Sequence, residues 1–466
     1  MSFFVRRRAQ DGLALTVGKA FRWRVVGRWS QRMAIWLGGI GVALIILGFA
    51  ETTQRAFALF QRALAWHPAA AFVLVPAGLA AVVALTVRYF PNAKGSGIPQ
   101  AIAALGLPPE GRKGVLSLRI AFAKIVLTSI GLAVGASAGR EGPSVQVGAS
   151  LMMRLGAFFH LRNSETARFM ILAGGAAGIA AAFNTPIAGV VFAIEELSRS
   201  YEERTSGTVM TAVILSGVTS LALVGYSPYF GRTAVGTVTM DTLWIAVALI
   251  GIVGGLLGGI FSQTLVVASR HGLPGAVGRL ARGHPVVFAA ACGLVLAAIG
   301  LVSDNLTYGT GYKEARLLLE GGTLPDAFFP LKMLATLVSY LSGIPGGLFS
   351  PSLSAGAGLG CSMSPFFPDV STKVCVLLGM AAYFTGVVQS PITAAIIVME
   401  MTDNQYLTVP LMASAFVALG ASRMICPHPL YKALAINFLT EQRDHLCHPA
   451  APVLEKSGDG KDAMSR

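Results

Sequence analysis

The sequence predicts an all-α integral membrane protein whose second half repeats the first. Three observations carry that prediction. Of 466 residues, 54% are hydrophobic and only 12% charged, with mean hydropathy +0.65; an ordinary globular domain is about 25% charged. Apolar runs recur at 32–50, 69–87, 120–138, 168–194, 209–225, 243–268, 286–302, 331–344, 372–388 and 408–420, several approaching the roughly 20 residues a helix needs to cross a bilayer. Finally, 54 Gly and 23 Pro break the shorter runs at corresponding places in the two halves.

The chain opens on a basic segment, 1–31, expected to stay cytoplasmic. Arg6, Arg7, Arg8, Lys19, Arg22, Arg24, Arg28 and Arg32 precede or border the first apolar run, opposed only by Asp11. This asymmetry follows the positive-inside rule, so the net charge of +14 speaks for membrane topology and not for nucleic acid. The segment is too long and too basic for a cleaved signal. A membrane domain follows over 32–440, with repeat halves at about 32–230 and 240–440, and then a polar tail, 441–466. A bacterial-type inner membrane, or an equivalent plasma membrane, fits this layout.

The repeat is read from residues that apolar sequence seldom aligns by chance. At an offset of 208, Lys124 meets Lys332, Thr128 meets Thr336, and Gly135, Gly139, Pro143, Ser144 and Gly148 meet Gly343, Gly347, Pro351, Ser352 and Gly356. Thr185-Pro186-Ile187 and Glu195 meet Ser390-Pro391-Ile392 and Glu400 at 205, and Gly95-Ser96-Gly97 resembles Gly309-Thr310-Gly311 at 214. Motif order is kept while loop lengths drift. Paired Gly/Pro breaks in two halves point to a transport site built from discontinuous helices. An odd number of spans per half would invert the halves across the membrane; the sequence leaves that parity open.

In Gly139-Arg140-Glu141-Gly142-Pro143, Pro143 suits the first turn of a helix and the glycines allow close approach. The unpaired N–H groups and positive dipole end of such a start suit an anion. Gly139, Arg140, Glu141 and Gly142 are therefore candidate anion-site residues, with the Arg140 side chain itself read as structural pairing near the outer face. The Glu141 carboxylate could occupy the anion site and leave it on protonation. Gly346-Gly347-Leu348-Phe349-Ser350-Pro351 is the same device without the carboxylate, offering the amides of Leu348 and Phe349. Ser96 adds a hydroxyl at a third break, Gly95-Ser96-Gly97-Ile98-Pro99, which alone would pass for an ordinary turn. Amides and hydroxyls bind an ion without trapping it, as conduction requires. Lys124 and Lys332 read as interfacial or paired lysines whose repeated position adds positive potential to the vestibules.

GSGIP, GREGP and GGLFSP, in this order, resemble the three signature stretches of CLC chloride channels and transporters. Phe183-Asn184-Thr185-Pro186-Ile187-Ala188-Gly189, Glu400-Met401-Thr402-Asp403-Asn404 and Pro429-Leu430-Tyr431 extend the resemblance from about Arg32 to Leu439. It implies a CLC-type fold of two inverted repeats of tilted, partly discontinuous helices, and a homodimer with one anion pathway per subunit. It also implies Ser96 and Tyr431 as hydroxyl donors to chloride, Leu348 and Phe349 as amide donors, and Glu141 as the outer gate and proton carrier. Glu196 falls where the family's exchangers carry an inner proton glutamate. An ionisable residue in a span is a functional candidate by default; the alternative is that Glu195 and Glu196, with Arg199 and Glu202 close behind, form a solvated helix end. Ser96 and Tyr431 together imply chloride as the anion; Gln100, where many relatives have Glu, is expected to matter little. The resemblance thus implies a secondary active transporter, two chlorides per proton, rather than an enzyme. The alternative is a passive voltage- or pH-gated chloride channel.

No cofactor is expected, chloride being substrate. Cys426, His428, His445, Cys447 and His448 are metal-capable types at no recognised zinc spacing, and the five cysteines outline no disulfide framework. An intramembrane hydrolase would need a histidine beside a membrane serine, and none of the seven lies in a central span. The tail is too short for the regulatory nucleotide-binding modules of many eukaryotic relatives.

Overall fold

The computed structural model describes the backbone of residues 2–161, 164–198, 203–225, 228–231 and 240–447, with side chains for 29–161, 164–198, 207–225, 228–231 and 242–439. The tail from His448 onward, Arg199, Glu202, the side chains of the basic N-terminal segment through Arg28, and those of His445 and Cys447 lie outside it. Among the described residues the regular structure is helical, with two isolated bridges, Gly95 with Pro345 and Gly139 with Gly347. Among the described residues eight helices are long and apolar enough to cross a membrane.

The duplication is visible in matching helices, with Pro109–Val115 in the first half and Gly275–Gly283 in the second as unmatched additions. After the long first helix, Ser2–Trp66, the first half runs Ala71–Tyr89, Ile98–Gly106, Leu118–Ala133, Glu141–Phe158, Ser164–Phe183, Pro186–Phe192 and Glu203–Val224. After Met240–His271, the second runs Pro285–Val302, Tyr312–Glu320, Phe328–Leu341, Phe349–Met363, Thr372–Val388, Pro391–Thr402 and Thr408–Ile425. Leu430–Cys447 closes the described chain. Left-handed backbone recurs at matching positions: Gly95 and Gly309 (φ 71° and 67°), Gly135 and Gly343 (87° and 90°), Asn184 and Gln389 (57° and 59°). The last pair shows the conformation is demanded by the turn, since neither residue is glycine.

Contacts between the halves are exchanged like for like. Gly139 and Gly347 donate to each other's carbonyls, both at 2.7 Å. Gly95 N–H donates to Ile344 O, and its counterpart Gly309 N–H donates to Ala136 O, both at 3.2 Å. An approximate two-fold axis therefore passes between Gly139 and Gly347, where the two chain segments run antiparallel, as two inverted halves require.

Each half packs around a glycine contact. A methyl at Gly148 would strike the Gly174 carbonyl oxygen and one at Gly174 that of Gly148; Gly356 and Gly379 stand in the same relation. Small residues let membrane helices approach this closely, and here they seat Glu141–Phe158 and Phe349–Met363 deep in the protein. Cys292, Cys375 and Cys426 are buried free thiols, used as small apolar side chains.

Candidate functional site

The starts of the Glu141 and Phe349 helices meet at the two-fold axis, joined by the Gly139–Gly347 pair. The third break joins them there. Gly97, at φ 107°, faces the Gly142 carbonyl, 2.6 Å from where a side-chain carbon would sit. Gly142 in turn packs its Cα on Ser96: a side-chain carbon would lie 2.8 Å from Ser96 O and strike its Oγ. Only glycine fits at either place. The first amides of a helix have no acceptor within it, so two amide-rich, positive helix ends face one small volume beside Ser96.

Ser96 and Tyr431 are fully buried, and neither hydroxyl has a hydrogen-bond partner among the described residues. The electrostatic neighbours of the Tyr431 phenol are Tyr340, Glu196, the Ser96 hydroxyl and Glu141. Its ring lies 5.9 Å from that of Phe349, which also stacks on Phe183 and meets Phe192 and Phe384 edge-on. This aromatic cluster fixes the Phe349 helix start on one side and the tyrosine on the other.

Two buried carboxylates lie near the Tyr431 hydroxyl. Glu141 has no exposed surface; its Oε1 accepts from Ser350 Oγ at 2.6 Å, while Oε2 bends back over the Cα of Gly139 and has no partner among the described residues. Glu196 is buried in a π-helical turn, Ala193–Ser198, and accepts from Ser390 Oγ. Such turns are frequent at functional positions. Each carboxylate of the first half is thus held by a serine of the second.

Glu195 departs from the solvated helix end considered above. Its carboxylate accepts from the amides of Ile392 (3.2 Å) and Thr393 (2.7 Å) and from the Thr393 hydroxyl (2.7 Å), capping the Pro391–Thr402 helix. Glu400, its repeat counterpart, accepts from Ile187 (3.1 Å) and Ala188 (2.7 Å), capping Pro186–Phe192. The two glutamates cross between halves and hold each other's helix starts.

The lysines also differ from expectation. Lys124 and Lys332 are buried and donate into loop carbonyls, Lys124 to Ala93 and Gly95, Lys332 to Thr307 and Gly309. Their work is to pin the two equivalent Gly-x-Gly loops, because a buried ammonium needs several oxygen acceptors. Gln100 likewise caps its own helix, accepting from Gly97 N–H and donating to the Lys94 carbonyl. Arg140 pairs with neutral oxygens: it donates to Ala50 O at 2.9 Å and reaches Thr53 Oγ1 and the Tyr229 hydroxyl at 3.4 and 3.5 Å. It thereby ties the Glu141 loop to the first helix. Two cavities of about 250 and 300 Å³ meet at Arg140, Tyr229 and Tyr312. Ser350, Ser390 and the capping roles of Glu195 and Glu400 escaped the sequence reading; the Glu195–Glu400 coincidence in the repeat was their one signal.

A family model, voltage gated chloride channel, matches residues 77–423. The H(+)/Cl(−) exchange transporter ClcA of Salmonella arizonae is 30% identical over 436 residues, 90% of this chain and 86% of the relative. ClcA of Vibrio parahaemolyticus is 30% identical over 386 residues, 78% and 79% of the two chains. Among solved structures, a slow cyanobacterial Cl−/H+ antiporter superposes with TM-score 0.77 at 25% identity, covering 89% of this chain and 99% of that one. A eukaryotic CLC transporter gives 0.70 at 20% identity, covering 89% and 75%, a likeness of fold. With two matching halves and three glycine breaks meeting at one point, this multi-pass membrane chain belongs to the voltage gated chloride channel family, the CLC chloride channels and transporters.

Proposed function

We propose that the protein is a secondary active transporter that exchanges chloride for protons, and not a passive channel. The observation that carries this reading is the pair of buried carboxylates near the Tyr431 hydroxyl. Glu141 lies at the convergent helix starts, and Glu196 lies in the π turn; both are electrostatic neighbours of Tyr431. The similarity to ClcA exchange transporters and to a Cl−/H+ antiporter supports it.

Chloride is held by Ser96, Tyr431 and the amides at Leu348–Phe349 and Gly139–Gly142, none of which carries a full charge that would trap it. Ionised Glu141 places its own oxygens at the same helix starts, so carboxylate and anion compete for one field. Protonation removes the charge, the carboxyl leaves, and an anion takes its place. Glu196 receives protons on the other side, its carboxylate held by Ser390. Protons and anions then share Glu141 but part company at Glu196. A pair of copies, each with its own pathway, in a bacterial inner membrane with the basic N-terminus cytoplasmic, completes the reading.

Paired chloride and pH recordings on liposomes test it. Exchange predicts that a chloride gradient drives protons uphill, at about one proton per two chlorides if coupling follows the family. Chloride flux with no uphill proton movement would make the protein a channel. Glu196→Ala should abolish proton movement while chloride still crosses. Glu141→Gln should leave chloride flux insensitive to pH.

A further inference from the structure

We infer that the Tyr340 hydroxyl is a third donor to the transported anion, standing on the approach to Ser96 and Tyr431 and sharpening the choice of anion. The inference rests on the reading of Ser96 and Tyr431 as chloride donors and adds a residue to that site.

Tyr340 lies near the end of the Phe328–Leu341 helix of the second half. Its hydroxyl oxygen is 3.4 Å from where a side-chain carbon on Gly95 would sit, and it lies against the backbone of Ser96. It also lies near the Tyr431 phenol. Three hydroxyls, from Ser96, Tyr431 and Tyr340, therefore gather at one break. Their exposure differs. Ser96 and Tyr431 are fully buried, whereas Tyr340 and Gly95 are half-buried and the adjoining Lys94 is exposed. Tyr340 therefore lies nearer the surface than Ser96 or Tyr431.

The position is rigid. Lys124 donates to the Gly95 carbonyl at 2.6 Å, Gly95 N–H donates to Ile344 O, and Gly346 N–H donates to Gly95 O. These bonds lock the Ser96 loop to the segment that follows Tyr340 in the chain. A third neutral donor raises affinity without adding a fixed charge. Because hydrogen bonds to charge-dense anions are the stronger ones, the hydroxyl favours chloride over a large, charge-diffuse anion such as thiocyanate.

The test is calorimetric titration of detergent-solubilised protein with chloride and with thiocyanate, comparing wild type, Tyr340→Phe and Ser96→Ala. Tyr340→Phe removes one oxygen and keeps the ring. Chloride binding should weaken about fivefold and thiocyanate binding by less than about twofold, with the chloride-free unfolding temperature unchanged. Equal weakening for both anions, or none for either, overturns the inference. If Ser96→Ala also leaves chloride affinity unaltered, it is the chloride site at Ser96 that fails, a separate result from the failure of Tyr340 alone.

Discussion

The crossed glutamates allow a quantitative prediction, because the two halves of the clasp are alike except at one atom. Glu195 and Glu400 each accept two helix-start amides at nearly the same distances, 3.2 and 2.7 Å against 3.1 and 2.7 Å. Glu195 alone accepts a hydroxyl as well, because the repeat places Thr393 where the first half has Ala188. A hydrogen bond to a charged group contributes about 1.5–3 kcal/mol. The carboxylates are half-buried, so solvent screening reduces this to about 1–2 kcal/mol. Glu400→Ala should therefore cost about 2–4 kcal/mol, and Glu195→Ala about 1–2 kcal/mol more. Thr393→Val in the Glu195→Ala background should add almost nothing, whereas alone it should cost the full difference. Equilibrium unfolding in mixed micelles measures the cycle. Equal costs for the two glutamates, within about 0.5 kcal/mol, or additive Thr393 and Glu195 effects, would refute the reasoning.

Other consequences follow from the same geometry. Glu195→Ala should lower the protons moved per chloride while chloride flux persists, since Glu196 follows on the same turn; paired recordings read it. Lys332→Met and Lys124→Met each strand two buried carbonyls and should cost about 2–6 kcal/mol apiece. Arginine should not rescue either site, its planar fork being too large for a cage built around one nitrogen; unfolding temperature is the readout. Gly142→Ala would drive a methyl into Ser96, and anion flux should fall more than about tenfold in protein that still elutes as a single species.

The sequence made the broad architecture legible because duplication leaves marks that burial alone does not. Gly139 with Gly347 and Pro143 with Pro351 announced two equivalent helix starts, and the structure joins them in one hydrogen-bonded pair. The polar partnerships were harder. Lys124 and Lys332 looked interfacial because a lysine in an apolar run suggests a nearby membrane surface; their acceptors lie 23–31 residues away in the chain, beyond any local pattern. Glu195 looked solvated because Glu196 and the charges after it suggest a helix end, whereas its acceptor role depends on a helix 197 residues away. Ser350 and Ser390 carried no signal, since a serine before or beside a proline reads as a turn. Backbone breaks that the repeat duplicates could be read from spacing, and side chains whose hydrogen-bond partners lie tens to hundreds of residues away could not.

The exchange of helix caps also limits how this molecule can move. Jaws that open need a seam along which the parts separate, but here the seam is stitched from both sides. Glu195 reaches into one half and Glu400 into the other, and Gly139 and Gly347 knot the centre. Prising the halves apart would break every stitch at once. On the proposed mechanism the working stroke belongs to single side chains turning within a fixed frame, above all Glu141 leaving Ser350. Its length is that of one glutamate.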